Sequence, residues 1–157
     1  MKTATVTQLK NELKHKSPQE LVELTLRLSK FKKENKELLT YLLFEAHDEQ
    51  AFIQEVKNEM DQAFAEINTS SYYFIKKSVR KILRVTKKYI RYSQKNTTQI
   101  ELLIYFCQKL KALNPPFWEN TVLTNLYRNQ VELIKRTIAK LHEDLHMDYE
   151  GELNDLV

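Results

Sequence analysis

The chain contains a single glycine, Gly151, and three prolines among its 157 residues. Sheet proteins need many tight turns, and turns with positive φ favour glycine or asparagine. One glycine cannot supply those turns, whereas helices joined by short polar loops can form without them. The glycine count therefore predicts an all-α fold.

Apolar residues recur at three- and four-residue spacing through nearly the whole chain, which indicates helices. The individual helices are therefore identified by the breaks in this pattern. The clearest start is Ser17, followed by Pro18 and Glu20, a capping box with proline at the first helical position. Pro115 marks a stop, because proline disfavours α geometry in the preceding residue. We predict about seven helices in antiparallel pairs, as an irregular bundle or a short α-α superhelix. The predicted helices are residues 5–16, 18–33, 35–47, 48–67, 70–93, 98–113 and 118–147.

This length fits one domain, which we predict to cover residues 1–147, followed by an acidic, frayed tail over residues 148–157. The apolar run Leu102–Cys107 continues through Leu110, which favours a central buried helix over a strand. Within that run Cys107 has the surroundings of a small core hydrophobe. No stretch resembles a secretory signal or a membrane span, so we expect a cytoplasmic location.

The segment from Ser17 to Leu24, together with the Lys-, Glu- and Asn-rich composition, resembles small helical bacterial proteins of unknown function. The resemblance covers a short part of the chain, points to no named family and implies no activity.

Charge is distributed unevenly along the chain. Residues 45–66 contain seven acids and one base, and the segment from Glu143 onward contains six acids and no base. Residues 67–100 contain no acid and nine bases. The nine are Lys76, Lys77, Arg80, Lys81, Arg84, Lys87, Lys88, Arg91 and Lys95. On a helical wheel all nine fall in one sector opposite an apolar half, so this helix is predicted to have two distinct faces.

Some of these bases border the apolar side of their helix, beside the acidic helix that precedes it. We expect Lys76, Lys81, Lys87 and Lys88 to be candidates for pairing with Asp48, Glu55, Glu59 and Glu66. The outward candidates for an anionic-partner surface are Lys77, Arg80, Arg84, Arg91 and Lys95, with Tyr73 among them. Clustered bases suit a nucleic-acid backbone or an acidic protein. One aromatic residue among them favours backbone contact over base stacking.

His142, Glu143 and His146 form an H-E-x-x-H sequence, which resembles the zinc metallopeptidase motif. On a helix the two histidines would share a zinc ion and Glu143 would act as general base. The motif lies close to the end of the sequence, with no later helix to present a third ligand, and no sheet edge is predicted. The match is therefore interpreted as accidental, and no cofactor or metal is predicted.

The leading hypothesis is a non-enzymatic helical interaction module, which binds an acidic protein or a nucleic-acid backbone through the basic face of helix 70–95. One alternative is a zinc-dependent hydrolase that uses His142 and His146. Another is a structural homo-oligomer, in which the basic face of one copy meets the acidic tail of another.

Overall fold

The computed structural model describes all 157 residues. Eight α-helices account for most of the chain and no strand is present, which confirms the predicted all-α fold. The contacts divide the chain into two compact units, Met1–Phe44 and Glu45–Val157, called here the N-terminal and C-terminal units. The predicted single domain over residues 1–147 stays a prediction.

The N-terminal unit contains α1 (Val6–Leu13), α2 (Pro18–Phe31) and α3 (Lys33–Thr40), followed by a π-helical segment (Tyr41–Glu45) that crosses into the next unit. Helix α2 begins with the predicted capping box. The Glu20 amide donates to Ser17 Oγ at 3.2 Å, and the Ser17 amide donates to Glu20 Oε2 at 3.1 Å. Helix α2 packs against α3.

The C-terminal unit contains α4 (Glu49–Ala65), α5 (Tyr72–Ser93), α6 (Asn96–Lys111), α7 (Thr121–Ile138) and α8 (His146–Leu156). Short 3-10 turns lie at Phe117–Glu119 and Glu143–Leu145. Helix α6 contacts α4, α5, α7 and α8, and Leu102, Phe106 and Cys107 on it are fully buried. The prediction of a central buried helix is therefore correct, because α6 presents apolar residues on several sides and its neighbours cover them.

The turn between α5 and α6 shows how the chain manages with one glycine. Gln94 adopts the left-handed conformation, with φ of 56°, and its amide donates to the Ile90 carbonyl at 2.9 Å. This position usually takes glycine or asparagine. Gln94 takes this position although it is not a glycine. Its amide bonds a carbonyl of the last turn of α5, and its backbone conformation reverses the chain.

The last part of the chain differs from the prediction. The helix predicted over residues 118–147 begins at Thr121 and ends at Ile138, and residues 148–157, predicted to be frayed, form most of α8. Helix α8 packs against α6 and α7. Leu156 is buried, and its carbonyl accepts a hydrogen bond of 2.8 Å from the Tyr127 hydroxyl. The turn after α7 directs α8 back against α6 and α7, which buries Leu156 near the end of α8. A longer α7 would leave Leu156 in solvent.

Candidate anionic-partner surface on helix α5

Helix α5 has two faces, as its sequence predicts. Its buried apolar residues are Ile75, Val79, Ile82, Leu83, Ile90 and Tyr92. Among them Ile75, Val79, Leu83 and Ile90 are separated by four, four and seven residues, and α5 packs against α4 and α6. The bases also recur at three- and four-residue spacing. Residues so spaced lie on one side of a helix, so the bases line the side opposite the apolar residues.

Four bases form a row along the exposed side of α5. Lys77, Arg80, Arg84 and Arg91 are all exposed, and none forms a salt bridge within the chain. Tyr73, one turn before Lys77, is also exposed. From Lys77 to Arg91 the row spans roughly 21 Å, at 1.5 Å per residue. These exposed, unpaired cations are therefore available to contact an anionic partner.

Lys95 differs from this row because it forms a salt bridge within the chain, and its role in a partner surface stays a prediction. Its Nζ lies 3.0 Å from Oε2 of Glu49, at the start of α4. The other oxygen of Glu49 accepts a 2.6 Å hydrogen bond from the Thr98 hydroxyl and another from the Ser93 hydroxyl. Lys95 lies beyond the end of α5, in the turn, where Glu49 holds it against the fold.

The expected pairing between α5 bases and α4 acids is wrong for three of the four lysines. Lys76, Lys81 and Lys87 form no salt bridge. Instead Glu59 accepts a hydrogen bond of 2.8 Å from the Tyr89 hydroxyl. Lys87 is half-buried, and this burial lowers the pKa of its ammonium. Lys76, Lys81 and Lys87 are therefore not neutralised by the neighbouring acidic helix.

A groove of about 290 Å³ lies between α4 and α5. Its apolar lining includes Val56, Met60 and Ile82, and Glu59 and Lys81 are among its polar residues. Glu59 and Lys81 thus border the same groove and form no salt bridge across it.

Lys81 borders the groove between α4 and α5, as expected, and it also lies beside the exposed row of bases. It is exposed and unpaired, and it lines an open depression on α5 together with Tyr73, Lys77, Arg80 and Arg84. The sequence indicated that Lys81 lies beside the row, because at 100° per residue Lys81 is only about 40° around the helix from Lys77. From here on, the basic surface means Lys77, Arg80, Lys81, Arg84 and Arg91, with Tyr73.

The H-E-x-x-H residues do not form the predicted geometry. His142 precedes a 3-10 turn, where its Nδ1 accepts from the Asp144 amide at 3.4 Å, whereas His146 begins α8. Nε2 of His146 lies 2.9 Å from the Leu141 carbonyl oxygen. No group of three or more His, Cys, Asp or Glu side chains is arranged to hold a metal ion. The two histidines thus lack the one-turn spacing on a single α-helix that zinc sharing requires.

Cys107 is a core residue, as predicted. Its side chain is fully buried, and burial raises the pKa of its thiol to about 12. A nucleophilic cysteine needs a lowered pKa and access to solvent. Cys107 has neither.

Comparison with protein-family models, with curated proteins and with solved structures finds no match to this chain. None of its helices has both the length and the apolar character needed to cross a membrane.

Proposed function

We propose that this protein is a non-enzymatic helical interaction module that binds an anionic macromolecule through the basic surface of α5. The observation that carries the proposal is the row of exposed bases that make no salt bridge within the chain. Bases on a solvated face commonly pair with acids at neighbouring positions. Between Ile67 and Ile100 the sequence contains no acid at all, so α5 carries no such acid.

The geometry favours a partner with repeated negative charge. The bases follow one another along one side of a single helix, so a linear polyanion could contact several of them at once. The surface contains one exposed aromatic residue, Tyr73. It thus lacks the series of aromatic residues that stacks successive bases of a single strand. Contact with the sugar-phosphate backbone, without base recognition, suits this surface best.

The proposal is tested with the triple substitution Arg80→Glu, Arg84→Glu and Arg91→Glu. A matched control is Arg128→Glu and Arg136→Glu on α7 with Lys140→Glu just after its end, because these residues are also exposed and the change in net charge is the same. Binding of labelled duplex and single-stranded oligonucleotides is measured by fluorescence anisotropy from about 50 to 200 mM salt. We expect the α5 triple to abolish binding, whereas the α7 triple retains most of it.

The salt dependence gives a second measurement. Five bases predict a slope of log K against log salt no steeper than about −4.5 on duplex DNA and about −3.5 on single strands. A steeper slope would mean that bases outside the surface contribute. Polyglutamate is the parallel probe for an acidic protein, and binding to it alone would assign that class of partner. If neither probe binds at tens of micromolar protein, or if the α7 triple weakens binding equally, the proposal is wrong.

A further inference from the structure

Exposed aromatic side chains lie at the end of the basic surface where α5 begins. Tyr73 is 66% exposed and precedes Lys77 by one turn, on the same side of the helix as the row of bases. Its ring contacts that of Phe74 at 5.3 Å between centroids and 77° between planes, so a neighbour supports it. A polyanion bound along the row therefore meets an aromatic ring at this end.

A second exposed aromatic residue comes from a distant part of the sequence. The hydroxyl of Tyr72, the first residue of α5, donates to the Pro116 carbonyl at 2.8 Å and lies 3.2 Å from Oε2 of Glu119. These contacts place the 3-10 turn that contains Trp118 beside the first turn of α5. Trp118 is 59% exposed. Tyr73 and Trp118 thus lie at the same end of the basic surface.

The 3-10 turn is anchored by the residue before Trp118. Phe117 is buried, and its ring stacks on that of Tyr127 at 4.4 Å between centroids. The ring of Trp118 contacts Phe117 edge to face at 5.4 Å. Phe117 therefore fixes the turn, and the larger indole beside it stays mostly in water. A flat group stacked on this indole would remove that apolar area from water.

The chemistry of this end favours an uncharged, planar group over a further phosphate. Lys77 and Arg80 near the start of the row suit phosphates, whereas the exposed carboxylate of Glu119 repels one beside Trp118. A nucleobase is uncharged, and it stacks on an aromatic ring whatever its identity. Bases inside a duplex are already stacked and paired, so only unpaired bases can reach these rings.

We infer that Tyr73 and Trp118 form a stacking site for unpaired bases, which makes a single-stranded nucleic acid the preferred partner. The strand places its phosphates along the row from Lys77 to Arg91 and stacks bases on the two rings where the row begins. Two rings at one end serve one end of the bound segment and read no sequence. The inference rests on the function proposed for α5, because the phosphates bind the basic surface.

Trp118 is the only tryptophan in the chain, so its fluorescence reports this site in the natural protein. A mixed-sequence single strand of about 12 nucleotides is titrated at about 50 mM salt, and Trp118 emission is followed together with binding. We expect the emission to fall as the strand binds, because a base contacts the indole. Relaxed circular duplex DNA, which has no ends to stack, should bind without changing the emission.

Substitutions test the two rings separately. Trp118→Ala and Tyr73→Ala should each weaken single-strand binding by about 5- to 150-fold, the effect of losing one stacked base. Duplex binding should change by less than about twofold, because it depends on phosphate contacts. Trp118→Phe should retain most of the single-strand affinity, since it keeps an aromatic face. Met147→Ala is the control, because Met147 is 80% exposed on α8, which packs against α6 and α7.

Several results would overturn this inference and leave the function proposed for α5 in place. One is a single strand that binds without changing Trp118 emission, and another is a duplex that lowers the emission equally. A third is a free protein in which acrylamide does not quench Trp118, because the ring would then be covered. A fall in emission with polyglutamate alone would assign the rings to an acidic protein instead.

Failure of the proposed function gives a different result. In that case neither the single strand nor the duplex binds, or the triple substitution of Arg80, Arg84 and Arg91 with Glu leaves the binding of both unchanged. The stacking site would then be wrong as well, because no strand would lie along the row beside it.

Discussion

Residues 1–44 and residues 45–157 are built from the same kind of amphipathic helix, yet they use the apolar sides of these helices in opposite ways. In the C-terminal unit the apolar sides meet around α6 and produce fully buried residues such as Ile100, Leu103 and Phe106. In the N-terminal unit the leucines of α1 and α2 are exposed. The local sequence pattern is similar in both regions, but only one of them has a core.

The difference comes from a central element. Helix α6 is apolar on several sides, so α4, α5, α7 and α8 all have a surface on which to pack. The N-terminal unit consists of two short helices and one of 14 residues, and none of the three contains a buried apolar residue. Such helices can cover one another only partly. Amphipathic periodicity therefore identifies which side of a helix is apolar, and the presence of a shared partner decides whether that side is buried.

The largest expected difference between the two units concerns the accessibility of thiols. Cys107 should react with a thiol reagent at pH 8 at least roughly 10³-fold more slowly than a free thiol, because it is reached only on unfolding. Its pKa of about 12 also leaves little thiolate at that pH. A cysteine introduced by Leu43→Cys in the N-terminal unit should react at once. The reagent should therefore modify one thiol per chain quickly in this variant, and two in concentrated urea.

Rapid modification of Cys107 in the natural chain would contradict the comparison. It would mean that the core around α6 opens readily, so that the two units do not differ in how well they protect a thiol from the reagent.

The next difference concerns the removal of one aromatic ring from each unit. Phe106→Ala in α6 should lower the free energy of unfolding by about 3–5 kcal/mol, because it empties a fully buried site. Phe44→Ala should change it by less than about 0.5 kcal/mol, since Phe44 is 65% exposed. Urea denaturation followed by circular dichroism gives both values. Equal losses would show that Phe44 is covered in solution.

The smallest difference concerns the helix caps. In the C-terminal unit the side-chain oxygen of Asn120 accepts from the amides of Val122 and Leu123 at 3.1 and 3.2 Å. In the N-terminal unit Ser17 caps α2. Loss of either cap by substitution with alanine should cost about 1 kcal/mol. We expect Asn120→Ala to shift the main unfolding transition in urea, and Ser17→Ala to change hydrogen exchange of α2 amides alone.

A shift of the main transition by Ser17→Ala would contradict the expected difference between the two caps. It would mean that α2 unfolds together with the core, and that the two units form one cooperative structure.

Much of the fold was predictable because its signals are local. The capping box at Ser17, the stop before Pro115 and the apolar run of α6 each depend on neighbouring residues, and each is found in the structure. The end of α7 was not predictable. Ile138, Leu141 and Leu145 keep helical spacing across the break, and no glycine or proline marks it. Only the packing of α8 against α6 and α7 shows where the chain turns.

The candidate site divides in the same way. The sequence by itself determined that α5 is basic on one side and apolar on the other, because a helix fixes the direction of each side chain relative to its neighbours. The tertiary structure decided which bases stay unpaired. It placed Glu49 beside Lys95, and it left Lys81 without a salt bridge although Glu59 borders the same groove. Ion pairing depends on distances of a few ångströms between residues far apart in the chain, and no periodicity in the sequence encodes those distances.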